Sequence, residues 1–345
     1  MKGLAYKFLH VMKAAVAVAF MALIPTSCVL DGPLPECPRP ETRLRFVYEY
    51  NMERANAFHN QVHCLSLHVY DKDGNYVGTY TETRQSVLGD EAYRMPLNLP
   101  DGDYHVVVYG GMACEASSFS HTASIGPGAS LPSLGVRVNP ECLTDDRLRR
   151  LHDHFYGSAD IKVTQNEESE HTVYMMRNTN TIQVALQHLN GSPIDCADFN
   201  YTITDDNTLM DAGNNLLAAG EVAYSPYETV NFTTGTKAGE GQTEVNAAVA
   251  RFTVSRLVHD KATSCTLHVT RKSDGSSVLK LPIVNYMLMF KDNHDATKPM
   301  SDQEYLDREN SWRFVFFLDE SNGNSWVNTR IIINDWKVVV NNTEF

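Results

Sequence analysis

From Leu44 onward, apolar and polar positions alternate along the chain. Leu44, Phe46 and Tyr48 interleave with Arg45, Val47 and Glu49, which predicts a strand with one face buried. Leu65, Leu67 and Val69 repeat the pattern. The turn-forming Asp71-Lys72-Asp73-Gly74-Asn75 follows, and a returning strand runs over Tyr76–Tyr80, so a hairpin is expected. A second turn, Leu99-Pro100-Asp101-Gly102-Asp103, leads into the continuous apolar run Tyr104–Tyr109, as in a strand covered on both faces. Further strands are predicted over 181–189, 199–204, 245–257, 266–270, 278–283, 312–318, 330–333 and 336–340.

Helical periodicity is scarce. Leu148, Leu151 and Phe155 fall at i, i+3, i+7 behind Thr144 as N-cap, which predicts a helix over 144–155. Ser301-Asp302-Gln303-Glu304 is a capping box ahead of Tyr305 and Leu306 and predicts a second, short one. Many short strands between turns, with one or two short helices, specify an all-β chain of β-sandwiches. Cys64-Leu65-Ser66-Leu67-His68-Val69 followed by Asp73-Gly74 resembles Cys265-Thr266-Leu267-His268-Val269 followed by Asp274-Gly275, which suggests two related units. The polar run 165–170 places the break between an N-terminal sandwich, 43–165, and a C-terminal one, 166–345.

The N-terminus has a different pattern. Lys2, Lys7 and Lys13 precede the apolar run 14–24, then Pro25, Thr26, Ser27 and Cys28. This is the plan of a signal peptide over 1–27 ending at a lipid-attachment cysteine, Cys28, although Pro25 stands where the usual lipoprotein box has Leu. Residues 28–42 carry four prolines and read as a tether. Acyl chains on Cys28 would hold the mature protein on a membrane. With 29 basic and 42 acidic residues the chain has a formal charge of −13, which speaks against nucleic-acid binding.

Export also bears on the remaining six cysteines, an even number in an oxidising compartment, for which disulfides are expected. Pairing within each half suggests Cys114 with Cys142 and Cys196 with Cys265. No CxxC pair supports zinc. Asp71, Asp73, Asn75 and Glu82 have calcium-loop spacing, but Tyr76 occupies the position that needs glycine, so a hairpin turn is the reading. In His152-Asp153-His154, on the expected helix, residues two apart face different ways. His63 and His68 alternate to opposite faces of a strand. No nucleophile elbow, phosphate loop or HExxH motif is present. Neither an enzyme activity nor a cofactor is expected. The 16 Tyr, 14 Phe and 3 Trp could supply a sugar-stacking platform, yet alternation in strands, as at Trp312, Phe314 and Phe316, assigns most of them to core.

Several stretches, in this order, resemble the FimB-type fimbrial anchor lipoproteins of the Bacteroidales, in the wider fimbrillin superfamily. They are Cys28 with Leu34-Pro35-Glu36-Cys37-Pro38, then Arg43-Leu44-Arg45-Phe46-Val47-Tyr48-Glu49-Tyr50-Asn51-Met52, Leu99-Pro100-Asp101-Gly102-Asp103-Tyr104 and His154-Phe155-Tyr156-Gly157. In the second half they are Ser255-Arg256-Leu257, Glu304-Tyr305-Leu306-Asp307-Arg308 and Ile331-Ile332-Ile333-Asn334-Asp335-Trp336-Lys337-Val338. The resemblance implies two tandem transthyretin-like Greek-key sandwiches on an outer-membrane lipid anchor at the cell surface. It also implies a fimbrial shaft subunit as partner, bound by strand addition, and a limit on fimbrial length. The terminal strands 44–50 and 330–340 are the expected borders of that contact. Trp336, Val338 and Val340 alternate toward one face, either to plug a partner or to fill their own core. The alternative function is a surface glycan-binding lipoprotein.

Overall fold

The computed structural model describes residues 41–345 except 165–166, 237–242, 262–263, 292–298, 320, 322–324, 335 and 340–345. The signal peptide, Cys28, Cys37 and most of the tether therefore lie outside the described residues.

Nine strands form in the first half: β1 (Thr42–Val47), β2 (Leu65–Asp71), β3 (Tyr76–Glu82), β4 (Met95–Leu97), β5 (Gly102–Gly110), β6 (Phe119–His121), β7 (Gly135–Val138), β8 (Phe155–Val163) and β9 (Ser169–Arg177). Seven of them make one sheet, β3-β2-β5-β8-β9-β1-β4. Its fold is set by β9. Residues Ser169–Tyr174 of β9 run parallel to β1, whereas Met175–Arg177 pair with the start of β8, so β9 passes from one layer to the other. Between the layers Leu65, Leu67, Val69, Val106 and Val108 pack against Leu44, Phe46, Met95, Leu97 and Val173. Leu44, Phe46, Leu65, Leu67 and Val69 are the members that alternation in the sequence sets on one face.

The second half supplies β10 (Asn180–His188), β11 (Phe199–Asp205), β12 (Leu209–Asp211), β13 (Leu216–Leu217), β14 (Val222–Tyr224), β15 (Glu228–Thr236), β16 (Thr243–Val254), β17 (Thr266–Arg271), β18 (Ser277–Pro282), β19 (Ser311–Asp319), β20 (Ser325–Ile333) and β21 (Trp336–Val339). A six-stranded sheet, β15-β16-β10-β19-β20-β21, faces a four-stranded one, β14-β11-β17-β18. Trp312, Phe314, Phe316 and Leu318 of β19 are all at most 1% exposed within this core. As in the first half, the opening strand runs parallel to a late one, here β10 with β19. The internal echo corresponds to equivalent hairpins. β2–β3 and β17–β18 turn at Gly74 and Gly275, whose φ values of +79° and +73° suit glycine. Asp71 closes the first turn by accepting from the amides of Asp73 and Asn75, so its carboxylate serves the turn.

A fourth sheet joins the halves. β6 and β7 pair with β12 and β13 in the order β13-β12-β7-β6. Accordingly Tyr70, Val107, Tyr109 and Phe119 belong to the same apolar cluster as Ile182, Phe252 and Trp312. From Pro40 on, the chain forms one unit.

Three expectations are corrected. The polar run 165–170 connects β8 to β9 inside the first sheet, and the passage to the second sheet falls at the buried Asn178–Thr179. The helix expected over 144–155 is absent. A single turn, Glu141–Thr144, is followed by irregular chain, because the Leu151 amide donates to the Thr253 hydroxyl at 2.7 Å and His154 is buried. The 301–308 helix does form over Asp302–Arg308, and the Ser301 hydroxyl accepts from the Glu304 amide as the capping box predicts.

The third correction concerns the cysteines. Cys64 is bonded to Cys114, while Cys142, Cys196 and Cys265 are free thiols. Cys64 precedes β2 and Cys114 follows β5. The antiparallel register sets Leu65 opposite Gly110, which brings the two Cα atoms to 5.3 Å. Gly111 makes the turn at φ +91°, where an added Cβ would meet the Asp153 carbonyl at 1.9 Å. Cys114–Cys142 is thus pre-empted by the β2–β5 neighbourhood. Cys196–Cys265 is ruled out because β11 and β17 are antiparallel, which places the two cysteines at opposite ends of the pair.

The bond spans 50 residues, for which loop-closure entropy gives ~4 kcal/mol of stabilisation. Reduction, or Cys64→Ala with Cys114→Ala, is expected to lower the unfolding free energy by about 4 kcal/mol and the urea midpoint accordingly. An unchanged midpoint in reductant would contradict the bond.

Candidate functional site

Of the residues named from sequence as a polymer contact, Trp336 and Val338 lie on β21, and Val340 lies outside the described residues. Among the described residues β21 is the last strand of its sheet, and β15 is the edge on the other side. Backbone pairing sets Trp336 opposite Ile333 and Val338 opposite Ile331, both isoleucines being fully buried. The tight connection depends on Asn334 at φ +45°, whose side chain accepts from the Arg313 amide. β1, the other terminal candidate, is an interior strand with β9 on one side and β4 on the other. Its backbone groups are therefore largely committed, and it is not an edge for strand addition.

Away from that edge, a polar junction joins the halves. Asn178 and Asn214, both buried, exchange reciprocal amide bonds of 2.7 and 3.0 Å. The Asn214 carbonyl accepts from Arg256, and Arg256 in turn makes a two-pronged ion pair with Asp307, both contacts at 2.9 Å. Gln303 donates to the same carboxylate. One residue further, Arg308 lies over the Tyr50 ring at 4.2 Å, donates to the carbonyls of Glu49 and Asn51, and pairs with Glu304. The Asp302–Arg308 helix thereby clamps the chain that leaves β1. The Ser301–Glu304 capping box signalled the helix but not its target, which is more than two hundred and fifty positions away in the chain.

Beside this clamp a cleft of about 350 Å³ is lined by Glu49, Tyr50, Ser158, Tyr174, Asp307 and Arg308, among others. Tyr174 is 62% exposed, the highest value among the exposed large apolar side chains of the described residues. Burial, then the carboxylates of Asp307 and Glu304, raise the Tyr50 phenol above its ordinary range, so it stays a neutral donor.

Behind the first sheet lies a histidine cluster that strand patterning gave no means of finding. His68, His121 and His154 surround Tyr109, with ring centroids 5.9, 5.2 and 5.8 Å away. Burial, reinforced by His121, lowers His68 to about 4 and His154 to about 3; burial also lowers His121, against an opposing bond to Gly135. These rings are neutral packing residues near neutral pH. Among the described residues no His/Cys/Asp/Glu group is arranged to hold a metal ion.

The model of one protein family, the fimbrillin-A associated anchor proteins Mfa1 and Mfa2, matches residues 34–342. A candidate adhesin of Bacteroides thetaiotaomicron has a crystal structure similar at TM-score 0.81 and 43% identity, over 89% of this chain and all of that one. A candidate polysaccharide-binding protein of the same organism is similar at TM-score 0.73 and 27% identity, over 88% and 99%. The fimbrial anchor protein Mfa2 of Porphyromonas gingivalis shares the fold at TM-score 0.61 and 16% identity, over 88% and 100%. No functionally curated protein matches in sequence.

Two outcomes follow from the junction and the histidines. Asp307→Asn leaves Arg256, whose side chain is only 15% exposed, without its counter-charge and is expected to cost ~3 kcal/mol in urea unfolding. Pairing it with Arg256→Met should recover part of that loss, and strict additivity in the double-mutant cycle would contradict the coupling. The histidines charge near pH 6.5 when unfolded but resist charging when folded. Their contribution is therefore complete above that pH and is lost as pH falls toward 4, at up to ~1.4 kcal/mol per pH unit for each ring. His154→Gln should flatten the slope of unfolding free energy against pH, and an unchanged slope would show that His154 is not responsible.

Proposed function

Because this chain belongs to the family of fimbrillin-A associated anchor proteins Mfa1 and Mfa2, we propose that it anchors a fimbria to the outer membrane and limits its length. The family is of fimbrial anchor type and implies association with the cell envelope and with fimbrial subunits. The observation that carries the proposal is the family match over residues 34–342, nearly the whole chain. In this reading acylated Cys28 fixes one end in the outer membrane and the proline-rich tether spans to the first strand. The protein works without catalysis as a mechanical link at the cell surface.

The contact with the shaft subunit would be strand addition at β21. An edge strand offers a row of backbone donors and acceptors to an incoming strand, and alternate side chains give specificity. Support for β21 over β1 comes from their places in the sheets, edge against interior. An anchor of this kind needs one polymer-facing side, since lipid occupies the other end.

Electron microscopy of cells lacking the gene, with the spent medium checked for shed filaments, tests the role. Long filaments released into the medium are expected, and filaments unchanged in length and attachment would overturn it and turn attention to glycan binding. A chain ended at Ile333 separates the two roles of β21. Lost shaft binding with the remaining fold intact identifies it as the contact, whereas insoluble protein identifies it as core.

A further inference from the structure

The cleft beside the Tyr50–Arg308 clamp is not used by the anchoring proposal, and its chemistry differs from that of a sheet edge. Its walls combine three tyrosines, Tyr50, Tyr156 and Tyr174, with two methionines, a glutamate, a serine and the ion-paired Asp307 and Arg308. Tyr50 is held in place by the guanidinium stacked on it at 4.2 Å, and that guanidinium is fixed by Glu304 and two backbone carbonyls. The Tyr50 ring is thus preorganised, with little rotamer freedom left to lose on binding. Tyr174 presents a ring that the fold leaves 62% exposed, on a strand whose neighbours Val173 and Met175 are buried. Beneath it β8 and β9 approach closely at Gly157, where an added Cβ would come within 2.8 Å of the Tyr174 carbonyl. The strand under the exposed ring is therefore held firmly.

We propose that this cleft, formed by Glu49, Tyr50, Ser158, Tyr174 and the Asp307–Arg308 corner, binds a neutral saccharide. The volume of about 350 Å³ falls in the range of small-ligand sites, about 300–1,000 Å³. The chemistry narrows the class. Aromatic faces take the apolar C–H face of a sugar ring, while phenol and serine hydroxyls and a carboxylate take its hydroxyls as donors and acceptors. Arg308 already pairs with Glu304, and Asp307 with Arg256, so the wall carries both signs. An anionic ligand meets Glu49 and a cationic one meets Arg308, whereas a neutral polyol uses both kinds of group without a charge penalty. Tyr174 is the stacking platform and Glu49 the acceptor for ring hydroxyls. The inference stands apart from the anchoring role, since neither the sheet edge nor the lipid takes part in it.

The test is saturation-transfer NMR on the full chain with four neutral probes, maltotetraose, xylotetraose, mannotriose and chitotriose. Two charged dipeptides, acetyl-Lys-Lys-amide and acetyl-Glu-Glu-amide, serve as counter-probes. Transfer to at least one oligosaccharide is expected, with at least a tenfold loss of affinity in Tyr174→Ala and a smaller loss in Glu49→Gln. The melting temperature should hold in Tyr174→Ala because the ring is mostly in solvent. Tyr174→Thr, which keeps a β-branched residue in the strand, replaces it if alanine disturbs folding. No transfer to any of the four sugars overturns the proposal. So does transfer that both Tyr174 variants leave unchanged, or binding of a charged dipeptide alone. Filament retention in cells is read separately, so failure here and failure of the anchoring role are distinct results.

Discussion

The junction between the halves is the constraint on which the rest of the architecture depends. β6 and β7 from the first half and β12 and β13 from the second form one small sheet. Backbone hydrogen bonds thereby cross between two sandwiches that each have their own layers. Next to it, Asn178 and Asn214 satisfy each other's amides out of water, and Arg256 and Asp307 satisfy each other's charge. Groups of this kind are costly to separate, because each would be left unpaired in a low-dielectric interior. The apolar cluster running from Tyr70 to Trp312 closes the same seam.

The two sandwiches are thus joined by hydrogen-bonded strands and a largely buried ion pair. The Asp302–Arg308 helix adds a second fastening by holding the chain beyond β1 through Arg308. The open edges of the six-stranded sheet lie away from these fastenings in strand order, so an added strand at β21 would extend the sheet without dismantling the junction. The Cys64–Cys114 bond secures β2 and β5, the pair whose outer face carries the histidines and tyrosines that meet β6.

The free cysteines and the buried histidines share one physical logic. Burial raises the thiols of Cys142 and Cys265 above their ordinary range and lowers the rings of His68 and His154 below theirs. In both cases the neutral form is the one the interior accepts. These residues act as packing groups, and among the described residues no such group is arranged to hold a metal ion.

Much of the architecture was legible from local pattern. The sequence pattern located β2, β10, β11, β17 and β19 to within a residue or two and β1 to within three, because a half-buried strand must alternate. The Ser301 capping box located its helix, because a cap is satisfied within one turn. The same local logic failed at 144–155, where Leu148, Leu151 and Phe155 had helical spacing but Leu151 bonds a residue about a hundred positions away. Cysteine partners, the strand that joins the two layers, the status of β21 as edge and β1 as interior, and the meeting of Tyr50, Tyr174 and Arg308 all depend on strand order. The sequence by itself determined an all-β chain with related hairpins, since these rest on contacts between near neighbours. Only the tertiary structure decided which strands are interior and which side chains share a cleft, because both are set by pairing between segments far apart in the chain.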